Sequence, residues 1–257
     1  MGKNGKVKDA SLSVVPQTEL MPLPSYVQPG KEGLENVRPT DMVIPRLLLL
    51  QGLSPQVTEQ DYRAGQIIQS LTQEIWVDRD SVGLFTPVFH YPEWIEWADR
   101  ETGEGIIQRS LDPKSDLAQM AMRGEKRATQ SGLQTFVVTE YHNFVALFPA
   151  ISIQQPVIIS CAKTNHKKGR QLLALATYRE GVPLFAGEYS ISAITEKNKA
   201  GQSYFVYQFM NHGWATQQVY EEAAKLYVIA MEAYTQRRLF ADQQQREHDP
   251  VNDEKEM

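Results

Sequence analysis

At 257 residues and 42% hydrophobic, the chain can bury a real core and is too apolar to be disordered throughout. A formal net charge of −5 and a pI near 5.6 argue against a uniformly basic protein that coats DNA with its whole surface. A single cysteine, Cys161, excludes an internal disulfide framework and any cysteine-rich zinc site.

The first 40 residues carry Pro16, Pro22, Pro24, Pro29 and Pro39 with few large apolar groups, which predicts a flexible arm. No apolar signal core follows the basic start, and no stretch has the length of a membrane helix, so a cytoplasmic protein without membrane contact is expected. Met42 to Gln51 is an apolar run in which Pro45 denies a long helix, predicting an extended segment docked on the core. Leu84 to Trp97 is dense in aromatic and β-branched residues but interrupted by Pro87 and Pro92, which predicts one or two edge-type strands. Trp94 and Trp97 cannot share one side of a regular strand, so either one is exposed as a stacking surface or a bend intervenes. Residues 111 to 132 are polar and weakly helical, an excursion between strands.

Phe136 to Tyr141 and Phe144 to Phe148 read as strands, either separate or joined into one, and Pro156 to Cys161 as another with Cys161 a small buried hydrophobe. Thr164 or Asn165 is placed to cap a helix running to about Tyr178. Tyr189 to Ile194 and Tyr204 to Phe209 then flank the turn at 197–201 as a hairpin. From Thr216 to Arg238, Val219, Tyr220, Ala223, Leu226, Tyr227, Ala230 and Tyr234 recur at helical spacing on one face. Beyond Leu239 the chain is acidic. The order predicts an α+β domain over 41–240 with a mainly antiparallel sheet, an elaborated barrel of the oligonucleotide-binding (OB-like) type, and a C-terminal amphipathic helix; 241–257 form a flexible acidic tail.

No catalytic motif stands out. The histidines His90, His142, His166, His212 and His248 lack metal-ligand spacing, so no metal, cofactor or enzymatic activity is expected. Glu74, Asp78 and Asp80 form a polar carboxylate group, the only opening for a metal-dependent nuclease. The strongest local signal lies between Ser160 and Phe205. Seven cations (Lys163, Lys167, Lys168, Arg170, Arg179, Lys197, Lys199) face three carboxylates there, beside the aromatic strand with Tyr204 and Tyr207. Cations that follow phosphates and rings that stack bases are the two parts of a single-strand binder. Alternation sets Phe205, Tyr207 and Phe209 on one face and Tyr204 and Val206 on the other, without saying which is core. The helix entry at 164–170 also resembles an anion site.

Two blocks carry a resemblance: Val43-Ile44-Pro45-Arg46-Leu47-Leu48-Leu49-Leu50-Gln51 with Ser54-Pro55, and Lys163 to Leu173 followed by Tyr189 to Phe209. Together they resemble a family of bacteriophage early-region proteins, some of which are likened to phage single-stranded DNA-binding proteins with oligonucleotide-binding folds. The resemblance implies an accessory of replication or recombination that holds single-stranded DNA in the host cytoplasm. Lys163, Lys167, Lys168, Arg170, Lys197 and Lys199 would then line the phosphate path. The acidic tail would recruit replication or recombination proteins, and oligomers are compatible with that role. The competing reading is a virion or assembly protein acting through protein–protein contacts, suggested by the long arm and by Leu47 to Leu50.

Overall fold

The structure, a computed structural model, describes residues 44–98, 105–128 and 134–239. The expected arm at 1–40 and the acidic tail at 241–257 lie outside them. The first part of the chain forms β1 (Arg46–Leu49), a short helix α1 (Pro55–Glu59), β2 (Ile67–Gln69) and β3 (Ile75–Val77). Then follow β4 (Gly83–Trp97), β5 (Ile106–Ser110), α2 (Asp116–Arg123) and a small hairpin of β6 (Lys126–Ala128) and β7 (Gln134–Phe136). The remainder is β8 (Val138–Phe148), β9 (Ser152–Ala162), α3 (His166–Thr177), β10 (Gly187–Lys197), β11 (Ser203–Trp214) and α4 (Gln217–Thr235). This is a mixed α+β fold, mostly sheet. No helix among the described residues is long and apolar enough to cross a membrane.

Nine strands make one sheet in the order β11-β10-β4-β8-β9-β1-β2-β3, with β5 added beside β4. Pairing is antiparallel throughout except between β1 and β9. The apolar run behind Pro45 therefore does dock as an extended segment, inserted between β9 and β2.

The prolines of β4 misled the reading of that strand. It is no edge: residues 86–96 pair with β8, while its other side takes β10 at 83–85 and β5 at 94–97. Pro87 and Pro92 both fall between those two pairings, where β4 has a strand on one side only and a missing N–H is least costly. A bulge between Pro87 and Phe89 absorbs the break in register. Trp94 and Trp97 are both buried, so neither is the exposed stacking surface that one alternative allowed. Trp94 sits beneath Leu117 and Ala118 of α2, and a bulge at Glu96/Trp97 turns Trp97 into a second cluster with Ile95, Tyr141 and Ala162.

The sheet curls into a half-barrel, and its two faces are covered differently. Inside the curl, Leu47, Ile67, Val77, Phe85, Phe144, Ile159, Ile191, Tyr207 and Phe209 converge on Leu172 of α3. On the other face α4 lays Ala223, Ala230 and Ala233 over Val88, Tyr91, Val145 and Ile158. Thr216 caps α4 by accepting a hydrogen bond from the Val219 N–H. Its small buried residues let α4 lie close to the sheet.

Strand β11 is an edge, and an open edge invites pairing with another chain. Two side-chain amides close part of it. Gln51 donates to the Phe205 carbonyl (3.0 Å) and accepts from the Phe205 N–H (2.9 Å), while Asn165 Oδ1 accepts from the Tyr207 N–H (2.8 Å). Thr164 or Asn165 was expected to cap α3; Asn165 holds the N-cap position but makes no cap hydrogen bond and ties the far edge of the sheet instead. Its neighbour Gly169 sets how close α3 lies. A Cβ there would stand 2.8 Å from Cβ of Cys161 and 2.9 Å from Cβ of His142, so only glycine lets the helix backbone rest on β8 and β9.

Candidate functional site

The chain leaves β9 through a short 3-10 turn, Lys163–Asn165, before α3 begins. Lys163 makes this corner with φ 49°, a left-handed backbone that costs a non-glycine residue roughly 1–2 kcal/mol. The turn swings the start of α3 against the β10–β11 hairpin. Lys168 Nζ meets Glu196 Oε1 at 2.7 Å, and the Tyr204 hydroxyl donates to Glu196 Oε2 at 3.3 Å. The hydrogen bond from Lys168 holds the Glu196 carboxyl below its ordinary range, and the nearby charge of Lys167 adds to this.

This contact sets the start of α3, which carries Lys167, Lys168 and Arg170 just after Lys163, against the hairpin that carries Glu196, Lys197, Lys199 and Tyr204. Lys167, Arg170, Lys197 and Lys199 are exposed there, whereas Lys168 is largely buried in its ion pair. Two of the candidate residues are elsewhere. Arg179 lies past the far end of α3, about 18 Å along the helix by its rise per residue, stacked 4.6 Å over Trp214 and 5.0 Å over Tyr189. Tyr207 is 2% exposed and packs with Phe209 in the interior of the curl, its hydroxyl donating to the Leu47 carbonyl. The face that sequence left undecided is thus the core face. An open aromatic floor built from Tyr207 is ruled out because α3 seals it, and the rings left near the surface are Tyr204 and the half-buried Phe205.

Under this corner lies a group of side chains that sequence spacing did not join. Glu140 and His142 alternate with Phe144 along β8 and point toward α3, where His166 is the first residue. His166 Nε2 and Glu140 Oε2 are 3.2 Å apart, and the His142 and His166 rings lie 4.6 Å apart. His90 of β4 reaches the same group, its Nε2 3.2 Å from Nδ1 of His142. The histidines 90, 142 and 166 are therefore not scattered, a correction to the sequence reading. Glu140-x-His142 on a strand was a visible signal, because residues two apart share a face. His90 lies 52 residues from His142 and His166 lies 26 from Glu140, separations that only the sheet and the helix dock could bridge. Glu74, Asp78 and Asp80 do not form such a group among the described residues; Asp78 instead pairs with Arg63 at 3.1 Å and accepts from Gln66 at 2.8 Å.

Burial, with repulsion from its neighbour, holds both His142 and His90 down to about 4. The hydrogen bond from His166 holds Glu140 low as well. In the unfolded chain these imidazoles titrate near 6.5. Between those values the unfolded state binds more protons than the native one, so stability present above pH 6.5 is lost as pH falls toward 4. The thermal midpoint in chelator-containing buffer should drop across that window. His90→Phe, which keeps a ring against Phe144, should make the drop shallower; a midpoint flat with pH would contradict the assignment.

The family described as Pam3 phage gp34-like protein matches residues 16–236, well over half of the chain. No curated protein and no solved structure matches it.

Proposed function

The chain belongs to the Pam3 phage gp34-like protein family, and from that premise we propose that it is a single-stranded DNA-binding accessory of phage replication or recombination. One observation carries the reading. The Lys168–Glu196 contact joins the start of α3, where Lys167 and Arg170 are exposed, to the end of β10 beside the exposed Lys197 and Lys199, in a protein that is acidic overall. Phosphates would follow these cations, and their counterions would be released on binding. Tyr204 supplies a ring at this contact, its hydroxyl donating to Glu196. With the deeper rings sealed, the reading rests on charge more than on stacking. The curled sheet would then play the part of an oligonucleotide-binding barrel, and the protein would act by binding in the host cytoplasm, with the acidic tail recruiting replication or recombination proteins.

The test is a salt titration with a fluorescent oligo-thymidine strand. Retention should be measurable at low salt and weaken steeply as salt rises, and Lys167→Glu with Lys199→Glu should weaken it about tenfold or more without moving the thermal midpoint. The logarithmic salt slope should shrink by about 0.7 for each phosphate contact removed. No retention at low salt, or full affinity in the double variant, would end the proposal. A second reading, a virion or assembly protein working through protein contacts, is favoured by the outer side of α4, where Tyr220, Val228, Ile229 and Met231 are 39–58% exposed. Large stable oligomers indifferent to oligonucleotide would support it instead.

A further inference from the structure

We propose that Glu140, His142 and His166 form a binding site for one divalent transition-metal ion of the zinc class, with His90 orienting His142 from behind. The inference is independent of strand binding and rests on the geometry beneath α3. One nitrogen from each of the two imidazoles and one carboxylate oxygen all lie within 4.8 Å of one another. Bonds of about 2.0–2.1 Å to a tetrahedral ion would set these donors roughly 3.3 Å apart, so side-chain rotations on the order of 1 Å complete the site. The backbone already holds the ligands in place. Glu140 and His142 share one face of β8, and the tight contact of Gly169 against His142 and Cys161 pins the first turn of α3, with His166 on it, over that face.

The decisive detail is the second nitrogen of His142. Its Nδ1 is engaged by His90, while its Nε2 is buried and has no hydrogen-bond partner. Buried polar atoms are satisfied in the great majority of cases, so this one stands in need of a ligand. An imidazole with one nitrogen held by a neighbour and the other presented as a lone pair is the arrangement metal-ligating histidines adopt. The donor set selects the ion: two imidazoles and one carboxylate suit zinc, cobalt or ferrous iron, whereas magnesium and calcium take oxygen. The His166 and Glu140 side chains are 30% and 37% exposed, so a fourth coordination position is open to water or to an anion. Arg170 opposes a cation here, since its charge reaches both Glu140 and His142, but it is exposed and so largely screened. The bound ion would clamp the start of α3 to the sheet.

The experiment uses the untagged full chain, stripped with chelator and then titrated with Zn2+ by calorimetry and with Co2+ by visible absorption. One equivalent should bind, with a tetrahedral-type cobalt spectrum and a raised thermal midpoint. His166→Ala and Glu140→Gln, at partly exposed positions, should each weaken Zn2+ binding about 100-fold or more. His90→Phe should retain one equivalent but bind it about 10–100-fold more weakly, as expected for a partner that orients a ligand. Absence of stoichiometric binding, or affinity unchanged in both His166→Ala and Glu140→Gln, overturns the site; unchanged affinity in His90→Phe overturns the orienting role. Oligo-thymidine retention measured in chelator reports on the strand-binding reading separately.

Discussion

Replacing Arg109 by alanine should cost about 3 kcal/mol of stability, the lower end of what breaking a buried ion pair costs. Its partner Glu93 is 0% exposed in the middle of β4. One carboxylate oxygen accepts from the Arg109 side chain, with Nε at 2.7 Å, and the other accepts from Asn143 Nδ2 at 2.9 Å. Burial pushes the Glu93 carboxyl above its ordinary range even though Arg109 and Asn143 pull the other way. Without Arg109, either a buried charge loses its main counterion or the carboxyl takes up a proton. The charge of Arg46, itself 2% exposed, still acts on Glu93, which is why the lower end of the range applies. Urea denaturation should show the loss as a lower midpoint. The paired change Glu93→Leu with Arg109→Leu should recover most of it, because a buried ion pair is often replaceable by apolar groups as a unit. A loss under about 1 kcal/mol in Arg109→Ala would mean that water or Arg46 already neutralises the carboxylate.

Phe85→Ala should be at least as damaging, with a loss of about 3–5 kcal/mol. Phe85 is fully buried where β4 meets β10, and three rings surround it: Phe148 at 5.7 Å, Phe209 at 5.8 Å and Tyr189 at 6.1 Å between centroids. Removing it deletes a large apolar volume and three ring contacts worth about 0.5–1.5 kcal/mol each beyond area burial. The three surrounding rings come from three different strands, β8, β10 and β11, so no single element can shift to fill the space. Phe85→Leu should fall between the alanine variant and the native chain. A loss below about 2 kcal/mol in Phe85→Ala would show that the curl of the sheet collapses readily around the gap.

Local pattern was enough for elements whose partner is near in sequence. The β10–β11 hairpin follows from two alternating runs around Asn198 and Gly201, and α4 follows from its apolar periodicity behind Thr216. The extended docking of Arg46–Leu49 follows from Pro45, and the burial of Cys161 from its apolar neighbours. Composition alone marked the cationic block, and the Lys168–Glu196 contact joins its two parts. Where partners are distant, the same patterns were ambiguous. Prolines suggested an edge for β4 because a missing N–H matters only if a strand lies on that side, and nothing local to β4 says where β10 and β5 stop. Alternation divided the β11 aromatics into two sets, but which set is core depends on where α3 comes to rest, and that is set by Gly169 against two other strands.

What sequence determined by itself was the α+β class, the β10–β11 hairpin, α4 and the order of the cations along the chain, since each depends on residues a few positions apart; α1, β2 and β3 went unread. Tertiary structure alone decided which aromatics are sealed, how β11 is closed by Gln51 and Asn165, and that three histidines and Glu140 meet. The physical reason is distance along the chain: side-chain periodicity is a local property, whereas burial and convergence are set by contacts between segments far apart in sequence, and these exist only once the sheet has curled around α3.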